Sequence, residues 1–168
     1  MNKITKYILL FFIGGIFGGL LEIGYQIITR GDFVLGGFLY GPFRPIYGYG
    51  FLILYFIGKK VNKNPLFIFL VSFIVCSVFE YLVSYGLEKI FNATWWDYRD
   101  FYLNLNGRIC IMVSLFWGLL GLLFIKIIIP SLEKLFDKLN KYFVCIFIFI
   151  ASTIFITDTV LSFIRHLK

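Results

Sequence analysis

Four carboxylates interrupt long apolar runs in this chain: Glu22, Glu80, Glu88 and Asp158. An ionised acid at the centre of a membrane span costs about 2.5–3.5 kcal/mol on insertion scales, so such residues are functional candidates by default. Carboxylates of this kind can carry a proton, hold a hard cation or pair with arginine. Arg44, set between Pro42 and Pro45, and Arg108, placed where an apolar run resumes, offer the complementary chemistry. The guanidinium fork matches carboxylate and phosphate groups. Ahead of Arg108 runs FNATWWDYRDFYLNLNGR, residues 91–108, which contains Trp96, Asp97 and Asn106. The candidate ligand-binding residues are therefore Glu22, Arg44, Glu80, Glu88, Trp96, Asp97, Asn106, Arg108 and Asp158.

No motif points to catalysis. His166 is the one histidine and sits near the end of the sequence, where it reads as an interfacial residue. The sequence shows no Cys–His pair, nucleophile elbow, paired zinc histidines or P-loop. Cys76, Cys110 and Cys145 lie in or beside apolar runs at spacings that fit neither a zinc site nor a disulfide framework. No metal and no cofactor is implied, and the catalytic residues of an enzymatic function would be unknown.

The elements that must position these residues follow from composition. The 168 residues are 60% hydrophobic and 15% charged, against about 45–50% and about 25% for a soluble domain. A span needs roughly 20 mostly apolar residues. The expectation is one transmembrane domain over residues 1–168, an all-α polytopic helix bundle. Five spans are expected at 6–28, 45–57, 65–90, 109–129 and 142–164, the second short enough to be partly re-entrant. Over 131–141, Leu132, Leu135, Phe136 and Leu139 recur at helical spacing opposite charged residues, which predicts a short interfacial amphipathic helix. The net charge of +7 comes from basic residues that flank apolar runs. It reads as topology and attraction to anionic lipid, with no nucleic-acid partner.

Lysines without many acids, such as Lys3, Lys6, Lys59, Lys60, Lys134 and Lys138, gather on one side. That side is expected to be cytoplasmic, which puts the N-terminus inside and the C-terminus outside. The intramembrane acids then all fall in the outer half. On the third span Ser72, Cys76, Glu80, Ser84 and Glu88 recur every four residues as a polar stripe. On the first, Gly15, Gly18 and Glu22 share a face, and Gly118 and Gly121 mark a close-packing face on the fourth. Asp158 has Ser162 and Arg165 on its own face. The first outer connection holds Arg44 between prolines, with Gly36, Gly37 and Gly41 giving conformational freedom. Each outer connection follows a glutamate-bearing helix, which suggests a 2+2 helix-hairpin repeat with the fifth span added.

GFLYGPFRPIYGYG, the isolated Glu80, WWDYRDFYLNLNGRIC and SLFWGLLG together resemble the CmpB-type family of putative ABC transporter permeases, type IV. The resemblance covers about residues 12–123. It implies a cell-membrane transport component, and an ABC system built on it would need a separate ATPase subunit. On the residues themselves, three functions are open. The first is a polar chamber, open to the outer face, that binds a small charged solute. The second is a membrane-embedded enzyme or lipid-headgroup binder using the same outer-leaflet residues. The third is a structural or assembly subunit in which the acids and arginines form an ion-pair network. The expected partners are the lipid bilayer, that ATPase, and further copies of the chain in a homo-oligomer.

Overall fold

Asparagine opens three of the helices. Asn2, Asn64 and Asn140 each sit at an N-cap in extended conformation and accept a backbone N–H of the first turn, which satisfies a donor that the helix itself cannot. The computed structural model describes the chain except residues 32, 34–36, 62–63 and 168 and the side chains of Thr29 and Arg30. Gly36, one of the glycines expected to loosen the first connection, lies outside the described residues. The helices are α1 (Lys3–Arg30), α2 (Pro45–Lys60), α3 (Pro65–Phe91), α4 (Ile111–Leu123), α5 (Ile129–Lys138) and α6 (Lys141–His166). Between α3 and α4 lies a two-stranded antiparallel ribbon, β1 (Asn104–Leu105) and β2 (Ile109–Cys110), in register Asn104↔Cys110 and Leu105↔Ile109.

Among the described residues, four helices are long and apolar enough to cross a membrane: Lys3–Ile28, Pro65–Phe91, Ile111–Lys138 and Lys141–His166. The protein is thus an almost all-α, multi-pass membrane bundle, with one fewer full-length span than the five expected. The missing one is α2, whose 16 residues reach about 24 Å, short of the roughly 30 Å hydrocarbon core. Its start lies level with the middle of α1, where the Arg44 N–H donates to the Gly15 carbonyl at 3.0 Å. The chain ahead of α2 runs along the glycine face of α1. A Cβ on Gly19 would fall on the Pro42 carbonyl, and one on Gly18 on the Tyr47 ring. The small residues seen in the sequence therefore admit a loop as well as a helix.

The amphipathic stretch expected over 131–141 forms α5, which continues directly from the fourth helix. α4 passes through a π turn, Phe124–Ile128, straight into α5. Pro130 supplies no N–H to the Lys126 carbonyl, and a widened turn just before a proline accommodates that loss. The polar side of α5 is engaged by protein: Glu133 pairs with Lys59 at 2.7 Å and accepts the Tyr55 hydroxyl at 3.2 Å. Asp137 pairs with Lys6 at 3.1 Å, and Phe136 is buried.

The chain forms two compact units, one of Met1–Leu52 with Leu135–Lys168, the other of Ile53–Lys134. In the first, α1 packs with the start of α2 and with α6. In the second, α3 and α4 form an antiparallel hairpin. The buried face of α3 is Ile68, Ser72, Cys76, Ser77, Glu80 and Ser84. Phe69 and Ser72 close on Gly118 and Gly121 of α4, so the four-residue polar stripe is the packing face of this hairpin.

Candidate functional site

In the unit of residues 53–134, the polar stripe of α3 carries Glu80 into the interior, 5% exposed. Its Oε2 accepts the Trp117 indole N–H at 2.8 Å and its Oε1 the Tyr98 hydroxyl at 3.0 Å. Both donors are neutral, so this acid is held by hydrogen bonds and, among the described residues, by no ion pair. Two turns along α3, Glu88 pairs with the Arg108 guanidinium, which also lies 5.4 Å from the ring centroids of Tyr81 and Tyr85. Arg108 stands at the end of the ribbon turn, where Asn106 and Gly107 take the left-handed conformation that an Asn-Gly pair tolerates. The Asn106 side-chain amide donates to the Tyr81 hydroxyl, and the Trp96 indole N–H to the Arg108 carbonyl, each at 3.0 Å.

A second ion pair closes the loop. Asp97 binds Arg99 at 2.5 and 2.7 Å and accepts the Arg99 backbone N–H at 3.0 Å. The Arg99 side chain and its amide hold the Asp97 carboxyl below the usual carboxylate range. The hydrogen bond to Glu88 raises the already high pKa of Arg108. Among these groups opens a polar pocket of about 150 Å³, whose lining includes Ser84, Glu88, Trp96, Asp97, Arg99 and Arg108.

The unit of residues 1–52 with 135–168 holds its own polar constellation. Arg44, buried at 6% exposure, donates Nε to Glu22 Oε2 at 2.9 Å and Nη1 to the Gly41 carbonyl at 3.1 Å. Asp158 accepts the backbone N–H groups of Tyr40 and Gly41, both at 2.9 Å, and the Ser162 hydroxyl at 3.0 Å. Arg165 donates to the Phe38 carbonyl at 2.9 Å and lies 4.0 Å over the Tyr40 ring. The loop before α2 is thus held from α1 by a charged pair and from α6 by a carboxylate.

A family model for "Putative ABC-transporter type IV" matches residues 9–163. The chain belongs to this family. Its membrane helices and this membership mark it as a membrane transporter component. No curated protein and no solved structure matches the chain.

In this family member, six sequence candidates come together in the unit of residues 53–134: Glu80, Glu88, Trp96, Asp97, Asn106 and Arg108. Glu80 lies in the packed helix interface; Glu88, Trp96, Asp97, Asn106 and Arg108 line the pocket. Glu22, Arg44 and Asp158 belong to the other unit, where they meet around the loop at Gly41. Sequence reasoning left out Trp117 and Tyr98, the two donors to Glu80. Trp117 carried a signal, because a tryptophan well inside a span departs from the interfacial belt where this residue concentrates. Tyr98 carried none beyond its place in an aromatic loop. His166, expected only as an interfacial residue, stacks on Phe38 with centroids 5.2 Å apart. Among the described residues no three His, Cys, Asp or Glu side chains gather as a metal site.

Proposed function

We propose that this protein is the membrane-embedded component of a transporter, one transmembrane domain in which the pocket at the end of α3 binds a small charged solute. The observation that carries this reading is the arrangement of Glu88–Arg108 and Asp97–Arg99. Two ion pairs border open space at the end of a hydrophobic helix hairpin. Glu80, further down the same helix, extends the polar path inward. The loop held by Glu22, Arg44 and Asp158 serves as a second polar element of the same transporter. The lysine-rich ends of the helices favour a cytoplasmic N-terminus and an outside C-terminus, so the pocket faces outward. Energy comes from a separate ATPase subunit, as the family name implies.

Native mass spectrometry of protein extracted gently from its own membrane tests this. The expected spectrum shows the chain with an ATPase subunit and a small non-lipid adduct that Arg108→Ala loses. A lipid adduct instead favours a lipid-headgroup binder. Copies of the chain alone, identical in wild type and Arg108→Ala, would overturn the solute reading and leave an assembly subunit.

A further inference from the structure

The pocket bordered by Ser84, Glu88, Asp97, Arg99, Asn106 and Arg108 has a charge pattern that narrows its ligand. Its two carboxylates and two guanidiniums cancel, so a ligand bearing one net charge would add an unbalanced charge to the pocket. Each ion pair nevertheless keeps unused capacity. Glu88 engages Arg108 through Oε2, and among the described residues no protein group donates to its Oε1. Arg108 spends Nη2 on that bond and lies against the Tyr81 and Tyr85 rings, which fixes its guanidinium at the pocket. Arg99 gives Nε and Nη2 to Asp97 and keeps Nη1 available. Ser84, only 6% exposed, lines the pocket, and among the described residues its hydroxyl makes no protein hydrogen bond. Open acceptor and donor positions thus stand side by side in one pocket, and a ligand that supplies both signs meets them together.

We infer that the pocket takes a small zwitterion, an ammonium group joined through a short linker to a carboxylate or phosphate. The ammonium meets Glu88 Oε1 and the Ser84 hydroxyl, and the oxyanion meets Arg108 and Arg99. This inference rests on the solute-binding reading above and specifies its ligand class. The volume, about 150 Å³, corresponds to about five waters of liquid, which limits the enclosed part to a ligand the size of glycine or a phosphoethanolamine headgroup. The same chemistry could arrive as a free amino-acid-like solute or on an ethanolamine lipid.

Isothermal titration calorimetry on the full chain in phosphatidylglycerol nanodiscs separates these cases. The probes are glycine and O-phosphoethanolamine, which bear both charges, and acetate and methylammonium, which bear one. At least one zwitterion should bind at one site, about tenfold or more tighter than either single-charge probe, because a single-charge probe engages only one sign of the pocket. Ser84→Val, which fills the pocket without touching either ion pair, should remove that binding while the thermal unfolding midpoint stays put. If Ser84→Val fails to fold, Ser84→Ala with a several-fold weaker affinity gives the same information. Acetate or methylammonium binding as tightly as a zwitterion overturns the inference and leaves the charged-solute reading standing. No binding by any probe overturns both. Unchanged zwitterion affinity in the serine variants also overturns the inference, because the probe then sits elsewhere. Adding phosphatidylethanolamine to the discs assigns the source: competition with the probe identifies the lipid headgroup, and its absence a free solute.

Discussion

Arg44 and Glu22 form a charge pair at 2.9 Å, with the arginine side chain 7% and the glutamate side chain 32% exposed. Arg44 is also the residue whose backbone N–H reaches the Gly15 carbonyl, so one residue anchors the loop to α1 through both main chain and side chain. Removing one member of a buried pair strands the other charge, at about 3–5 kcal/mol when burial is complete. Because Glu22 is about one-third exposed, Glu22→Gln should cost about 2–3 kcal/mol, discounted for solvent screening. Thermal unfolding in detergent reads this directly. A midpoint equal to that of wild type would mean that the pair adds nothing to the seating of the loop.

Gly19 and Gly24 lie on the same helix and predict opposite outcomes. A Cβ on Gly19 would strike the Pro42 carbonyl, a backbone atom that cannot rotate away, whereas a Cβ on Gly24 meets open space. Gly19→Ala should destabilise by about 1–3 kcal/mol through overpacking. Gly24→Ala should be neutral or stabilise by up to about 1 kcal/mol, the helix-propensity difference. Equal effects of the two substitutions, measured side by side by thermal unfolding, would remove the claim that α1 was thinned to admit the loop.

Much of this was readable from residue spacing. Ser72, Cys76, Glu80 and Ser84 recur every four residues, and a helix turns that repeat into one face whatever it packs against. Gly118 and Gly121 announced a close approach for the same reason. The course of residues 37–44 was not readable, because an apolar run at 45–57 has the same composition whether it crosses fully or starts at mid-depth. Nor was the docking of α5: its apolar period is identical for a helix lying on lipid and one lying on protein, and only the partners Lys59, Tyr55 and Lys6 decide. Arg108 had three acids within reach in sequence, Glu88, Asp97 and Asp100. The ribbon register, fixed by the left-handed Asn106-Gly107 turn, selects Glu88, and Asp97 takes Arg99.

The Asp97–Arg99 contact sets a pH window for the loop. Arg99 depresses the Asp97 pKa in the folded chain. A depressed carboxylate contributes stability that is fully present above its unfolded value, about 3.9, and loses it as pH falls through the lower folded value. Between pH 8 and 5 the loop should therefore hold its order without change from this group. The Arg99 amide, which donates to Asp97 Oδ1 at 3.0 Å, should lose its protection from hydrogen exchange only below about pH 4, after correction for the intrinsic rate. Protection lost between pH 7 and 5 would refute the assignment. In Asp97→Asn the acid-dependent step should vanish.

Asp158 tests whether α6 holds the loop or merely touches it. Its two oxygens accept the N–H groups of Tyr40 and Gly41, bonds to a charged acceptor that are about twice as strong as neutral ones. Asparagine keeps the shape but turns one acceptor into a donor, which would then face a backbone N–H. Asp158→Asn should weaken the attachment by about 2–3 kcal/mol, or roughly 30- to 150-fold in the local opening equilibrium. Hydrogen exchange of the peptide covering 37–44 should accelerate by that factor when opening is local. Ser162→Ala removes only the hydroxyl that donates to Asp158 and leaves both backbone bonds in place, so its exchange should rise by less than about tenfold. If both variants accelerate exchange equally, the carboxylate is not the anchor, and packing of α6 against the loop holds it instead.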